Sequence, residues 1–156
     1  MRRAAIAALL LTGCVADQGT VAVEPLDAAF YAANVQPVVG PSCGSLDCHG
    51  VGLRPLRIYA EDGLRIDDGL RGAPISDEEI GWNVAAFGGV DPEPSSADTH
   101  VALSKPLAVG AGGLHHLGDP VFASEGDPGY RCLRGWLAAD PSALDACAEA
   151  EAALEP

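Results

Sequence analysis

Cys43-Gly-Ser-Leu-Asp-Cys48-His49-Gly50 is the stretch around which the rest of this chain is interpreted. Two cysteines with four residues between them are followed at once by a histidine. This order is typical of c-type haem attachment, in which two thiols bond to the porphyrin and the next histidine binds the iron. In the usual form of that pattern only about two residues separate the cysteines. The stretch is therefore a candidate haem site with a lengthened loop.

The residues themselves leave three interpretations of Cys43, Cys48 and His49 open. In the first, both cysteines form thioethers to haem and His49 is the proximal iron ligand. In the second, the two cysteines form a disulfide across a tight turn, and His49 has no role. In the third, the three side chains and a fourth ligand hold a metal ion, although adjacent Cys and His suit a tetrahedral ion poorly. We favour the haem interpretation.

The composition limits what such a chain can be. Its formal net charge of −13 should repel nucleic acids and anionic lipid headgroups, so no nucleic-acid partner is expected. A hydrophobic content of 48% predicts a folded chain, and its length suits one domain. Aromatic residues make up only 5%, and there are 19 glycines and 12 prolines, which predicts many loops and a thin core. An internal apolar cofactor or disulfides would stabilise a domain of this kind.

The first residues are predicted to be an export signal. Two arginines precede an apolar run much shorter than the roughly 20 residues that a membrane-spanning helix needs. The run ends in Leu11-Thr12-Gly13-Cys14, which resembles the lipobox of bacterial lipoproteins. That resemblance implies a signal peptide at residues 1–13, acylation of Cys14 and a lipidated tether at residues 14–26. Val15 stands where an inner-membrane retention signal has aspartate, which implies anchoring to the outer membrane, facing the periplasm or the cell surface.

The pattern of caps and apolar residues predicts a mostly α fold of four or five short helices joined by long loops. The clearest helix spans Asp77–Phe87, with a capping box formed by Ser76 and Glu79 and with Gly88-Gly89 as its end. The segment around residues 56–66 could form a short hairpin or an ordered loop, and we favour the loop. The other helices are predicted from Asp27 as N-cap to Gln36, before Pro37; from Ser95 or Ser96 to Lys105; and at two similar starts, Asp127-Pro128 and Asp140-Pro141.

The cysteines at 132 and 147 are predicted to form a structural disulfide. They lie on the last two predicted helices, and an antiparallel helical hairpin would bring them together. Closing a loop of about 15 residues in this way is worth roughly 3 kcal/mol. Residues 139–156 are therefore assigned to a C-terminal helix that is linked by this disulfide to the domain at residues 27–138.

Residues 27–138 resemble the cytochrome-c-like domains of exported Gram-negative proteins. In that family an aromatic helix with a Val-x-Pro leads into the haem motif, and a Lys-Pro-Leu segment, a His-containing Gly-rich loop and a closing helix follow. The resemblance implies a small cytochrome-c-like fold with one haem c bound by the 43–50 motif. The matching residues are Phe30-Tyr31 and Val35-Gln36-Pro37, then Ala102–Leu107, then His115, His116, Gly118, Phe122, Tyr130 and Trp136.

The second axial ligand of such a haem must be a histidine, or the position is open. The only methionine is Met1, which leaves with the predicted signal. His100 lies in a predicted helix, where a solvated polar role is expected. The family order of His, Gly and Phe implies His116 as the distal ligand and His115 as the second candidate. Among the arginines after the motif, one or two of Arg54, Arg57 and Arg65 are candidates to pair with the haem propionates.

Electron transfer is the function that these features predict. We find no phosphate-binding glycine loop, nucleophile elbow or metalloprotease helix, so no enzyme activity is expected. The expected partners are a lipid bilayer, through acylated Cys14, and a redox protein of unknown identity. The competing hypothesis is a haem-free structural or interaction lipoprotein with two disulfides, Cys43–Cys48 and Cys132–Cys147.

Overall fold

The computed structural model describes residues 25–92 and 96–154. The predicted signal peptide, Cys14 and most of the tether lie outside the described residues. Within them the fold is mostly helical, as predicted, with five helices and no strand. Helix α1 comprises α-helical Ala28–Phe30, a π-helical turn at Tyr31–Val35 and α-helical Gln36–Cys43; α2 is Asp77–Val90, α3 Val101–Ser104, α4 Pro128–Leu137 and α5 Ala143–Ala152.

Helix α1 begins at the predicted N-cap, where Asp27 Oδ1 accepts a hydrogen bond from the Phe30 amide. The predicted end before Pro37 is wrong, because the helix continues to Cys43. A proline ring clashes with the carbonyl four residues earlier in a regular helix. Here that carbonyl lies in the wider π-helical turn, where the Gln36 amide bonds to the Tyr31 carbonyl. The helix therefore passes Pro37 and ends where the haem-type motif begins.

The centre of the core is an aromatic cluster of Tyr31, Phe87 and Trp136. The ring centres of Tyr31 and Trp136 are 4.9 Å apart, and those of Phe87 and Trp136 are 5.5 Å apart. Trp136 Nε1 also donates to the Asp27 carbonyl at 2.8 Å, which satisfies its buried N–H. The cluster joins α1, α2 and α4, and so it fixes the scaffold around the Cys43–Gly50 motif.

Helix α2 has the predicted capping box, with Ser76 as N-cap and Glu79 bonded back to the Ser76 amide. Its predicted end at Gly88-Gly89 is wrong, since the helix runs on to Val90. Neither glycine has a positive φ. A helical glycine costs only about 1 kcal/mol, so two of them weaken this end without stopping the helix. The segment before α2, around residues 56–66, is a loop as expected, with one isolated bridge between Tyr59 and Leu64.

Two other predicted helix starts need correction. The helix expected from Ser95 or Ser96 to Lys105 is a 3-10 turn at Ala97–Thr99 followed by α3, because His100 is extended and its Nδ1 caps the Ala102 amide. The last helix starts at Ala143 and not at Pro141, because Asp140 Oδ1 accepts the Ser142 amide and holds a turn first. The start at Asp127-Pro128 is confirmed.

Helices α4 and α5 form the expected hairpin, and the predicted disulfide Cys132–Cys147 joins them. Both cysteines are buried, with 0% and 1% of their surface exposed. Gly135 makes the close approach of the two helices possible, because a Cβ at that position would lie 2.6 Å from the Ala143 Cβ. In the described part of the chain, no helix combines the length and the apolar character needed to cross a membrane.

Candidate functional site

A cavity of about 310 Å³ lies between the Cys43–Gly50 turn and the segment from α3 to Phe122. The thiols of Cys43 and Cys48 and the rings of His49 and His116 all line it. Most of the remaining wall is apolar. Its aliphatic and aromatic members include Leu56, Ile58, Phe87, Val101, Leu117 and Val121.

The Cys43–Gly50 segment folds into a compact turn at the end of α1. The Ser45 carbonyl accepts hydrogen bonds from the amides of Cys48 (3.0 Å) and Gly50 (2.8 Å), and the Cys43 carbonyl accepts the His49 amide at 2.9 Å. The turn is so tight that a Cβ on Gly50 would lie 2.0 Å from the Gly44 carbonyl oxygen. The four residues between the cysteines are thus taken up by the turn, and both thiols remain on one cavity.

Both cysteines of the motif are free thiols in the structure, so the disulfide Cys43–Cys48 of the competing hypothesis is not formed. Cys43 is half-buried and Cys48 is exposed. Burial, and to a smaller extent the neighbouring Cys48, raises the pKa of the Cys43 thiol to about 12. Cys43 is therefore a protonated thiol at neutral pH.

His49 is held with one ring nitrogen free for a metal. Its Nδ1 lies 2.9 Å from the Leu56 carbonyl oxygen, and because a carbonyl only accepts, Nδ1 carries the hydrogen. Burial of the ring is the main reason that the pKa of His49 is lowered; the Leu56 hydrogen bond opposes it, and the nearby His116 and Arg54 add to the lowering. A neutral imidazole with its second nitrogen oriented in this way is the usual metal-binding arrangement.

The structure separates the two distal candidates. His116 lines the cavity, whereas His115 is exposed and is not part of the cavity wall. The ring centres of His49 and His116 are 6.1 Å apart, with the ring planes inclined by 30°. Nδ1 of His116 is buried and has no hydrogen-bond partner among the described residues.

The spacing of these two rings would allow both to bind one metal. With a metal–nitrogen bond of about 2 Å and roughly 1 Å more from nitrogen to ring centre, the two centres would be about 6 Å apart. A haem iron needs only two protein ligands, because the porphyrin supplies the other four. No group of three His, Cys, Asp or Glu side chains that suits a metal ion occurs within residues 25–92 and 96–154. The ring spacing and the two thiols on the same cavity fit a haem, which Cys43, Cys48, His49 and His116 would hold.

The three arginines after the motif have different surroundings. Arg54 lines the cavity and Arg57 is exposed. The expectation that Arg65 was a candidate for the propionates is wrong, because Arg65 is buried against Glu79, with Nε and Oε1 2.8 Å apart. A buried arginine of this kind needs its carboxylate partner within the protein.

Two functional features were not recognised from the sequence. Lys105 lines the cavity, and its ammonium group donates to the His115 carbonyl at 3.0 Å. The Lys-Pro-Leu segment includes Lys105, but the sequence did not predict its contact with the His115 carbonyl. His100, expected to be solvated, is buried, with only 3% of its surface exposed, and burial lowers its pKa. Its role is to cap α3, which a helical pattern does not reveal.

We found no protein-family model that matches this chain, and no curated protein or solved structure that is similar to it. The resemblance to cytochrome-c-like domains and the lipoprotein signal are predictions that rest on the residues quoted above.

Proposed function

We propose that this protein binds one c-type haem through Cys43 and Cys48, with His49 as proximal and His116 as distal ligand, and that it transfers electrons. One observation carries the proposal: the two free thiols and the His49 ring of the motif line the same mostly apolar cavity as the ring of His116, which is distant in sequence. Haem would supply a one-electron couple there. The residues of the cavity would hold the haem, influence its reduction potential and limit the access of water to it.

The residues of the cavity have distinct parts in such a site. His49 Nδ1 donates a hydrogen bond to the Leu56 carbonyl, which leaves the opposite ring nitrogen, Nε2, directed away from that carbonyl. The same bond makes the imidazole a stronger electron-pair donor to a metal. Two imidazole ligands give a lower reduction potential than a methionine–histidine pair. The apolar wall limits water around the ligands, and Arg54 and Lys105 offer cationic groups to carboxylates of the cofactor.

The absorption spectrum tests this function. The protein is produced in cells that have the machinery for covalent haem attachment, purified and then extracted with acidified acetone. We expect a Soret band that stays with the protein, and loss of the colour on extraction of the Cys43→Ala, Cys48→Ala double variant. A colourless wild-type protein would contradict the proposal and favour the haem-free lipoprotein.

Anchoring to a bilayer through Cys14 is part of the same proposal and rests on the sequence, since Cys14 lies outside the described residues. The test is incorporation of labelled fatty acid during growth. The wild-type protein should be labelled and should fractionate with outer membranes, and Cys14→Ser should abolish both. Labelling that persists in Cys14→Ser would contradict the assignment of the anchor.

A further inference from the structure

The two candidate iron ligands are held very differently by the protein. His49 is fixed at three points: its amide donates to the Cys43 carbonyl, its carbonyl accepts the Ile58 amide, and its Nδ1 bonds to the Leu56 carbonyl, each at 2.9 Å. Ile58 is itself buried in the core. His49 therefore cannot move without disturbing the turn and the core.

His116 lies in a loop that has little to hold it. The loop is attached at its two ends, where the Leu114 amide bonds to the Ser104 carbonyl and the Val121 amide to the Pro106 carbonyl. Between these points, within the described part of the chain, residues 115–120 make a single hydrogen bond to the rest of the protein, from Lys105 Nζ to the His115 carbonyl.

The side chains of this loop are also mostly solvated. Residues 117–120 are exposed, and Leu117 has 78% of its surface exposed. Gly118 has φ +104°, a conformation that glycine adopts without strain. Segments with few buried contacts and few hydrogen bonds open at low free-energy cost. The buried Nδ1 of His116 has no hydrogen-bond partner among the described residues either.

We propose that His116 is a displaceable ligand, so that the site also binds small uncharged iron ligands such as carbon monoxide; this rests on the proposed function. In such an exchange His116 would release the iron and one incoming ligand would take its place, so that one bond would be broken and one formed. No electron or proton is transferred, and the imidazole leaves in its neutral form. The apolar cavity wall favours an uncharged ligand over an anion, because an anion would lose its hydration there, and Arg54 and Lys105 would be paired with carboxylates of the cofactor.

Carbon monoxide binding to the reduced holoprotein tests the proposal. We expect the wild-type protein to bind it at a rate that levels off as the concentration rises, because opening of the loop becomes limiting. His116→Ala should bind at a rate that rises linearly with concentration. The matched control His115→Ala should behave as the wild type does. Lys105→Met removes the bond to the His115 carbonyl, so its limiting rate should be higher.

Hydrogen exchange on the same holoprotein gives a readout that does not depend on added ligand. The amides of residues 115–119 should exchange about a hundredfold faster than those of His49 and Ile58. The proposal is overturned if His116→Ala binds carbon monoxide and the wild type does not, if both bind with the same linear dependence, or if neither binds. A protein that loses its colour on acid-acetone extraction would instead remove the covalent haem of the proposed function, and this inference with it.

Discussion

One hydrogen bond distinguishes His49, the proposed proximal ligand, from the other three histidines. The Leu56 carbonyl fixes the proton on Nδ1, and the ring is neutral because burial lowers its pKa. His115 is exposed, and His100 uses its Nδ1 to cap α3. His116 lines the cavity, and its Nδ1 has no hydrogen-bond partner among the described residues. Residue type alone would have treated these four side chains as equivalent.

Arg54 is expected to set part of the reduction potential. Its positive charge already disfavours protonation of His49, so it should also favour the less positive, reduced iron. An interaction of about 1 kcal/mol corresponds to roughly 40 mV for a one-electron couple. Arg54→Gln should therefore lower the potential by up to about 40 mV in a redox titration. Arg57→Gln, which removes an exposed arginine from the same loop, should leave it unchanged, and equal shifts in the two variants would contradict the prediction.

At the scale of the element, the first turn of α2 also holds the loop that precedes it, in addition to forming its capping box. Glu79 closes the box with Ser76, and it also binds the buried Arg65 and the Ile66 amide. The guanidinium of Arg65 in turn donates to three carbonyls of the preceding loop, at Leu70, Ala73 and Pro74. One helix start thus fixes the whole loop that leads to it.

Glu79→Gln should be strongly destabilising, because it leaves the charge of Arg65 buried without its partner. Breaking a buried pair in this way costs about 3–5 kcal/mol. The matched control is Glu78→Gln, which removes an exposed carboxylate from the same helix turn and should cost less than about 1 kcal/mol. Urea-induced unfolding measures both. A similar small loss in the two variants would show that the Arg65–Glu79 pair contributes little to stability.

The α4–α5 hairpin should depend on its disulfide. The bridge links residues 15 positions apart, and a loop of that size is worth about 3 kcal/mol. Addition of reductant should lower the free energy of unfolding of the wild-type protein by about this amount. The Cys132→Ala, Cys147→Ala double variant is the control, because reductant should not change its stability. A wild-type protein indifferent to reductant would contradict the prediction.

At the scale of the whole molecule, ionisation of Glu79 should make the free energy of unfolding depend on pH. The hydrogen bonds from Arg65 are the main reason that the pKa of Glu79 is lowered from 4.5 to about 2 in the folded protein. A carboxylate with a lowered folded-state pKa stabilises the fold above its unfolded-state pKa, and that contribution is lost as the pH falls towards the folded value.

The gap in unfolding free energy between the wild-type protein and Glu79→Gln should accordingly be largest above about pH 4.5 and should shrink towards pH 2. Urea unfolding of both proteins at several pH values measures the gap. The comparison with the variant removes the effect of the other acidic groups, which titrate in both. A gap that stays constant over this range would contradict the assigned pKa.

The sequence by itself was sufficient for the features that depend on neighbouring residues. The caps at Asp27, Ser76 and Asp127 follow from side chains that bond to amides two or three positions away. The mostly α class and the Cys132–Cys147 disulfide followed from helical spacing and from two adjacent helices. Helix ends were less predictable, because Pro37 and Gly88-Gly89 only weaken a helix that packing can still extend.

Only the tertiary structure decided which side chains share the cavity. His116, which the resemblance had already ranked above His115, lines it together with Arg54 and Lys105, whereas Arg65 is buried against Glu79. These choices depend on the directions of side chains whose residues are far apart in the chain. Local spacing does not encode such directions, because they are set by the packing of α1, α2 and α4 around the aromatic cluster. The motif at Cys43–Gly50 indicates the proposed haem chemistry, and the packed fold brings His116 to the same cavity.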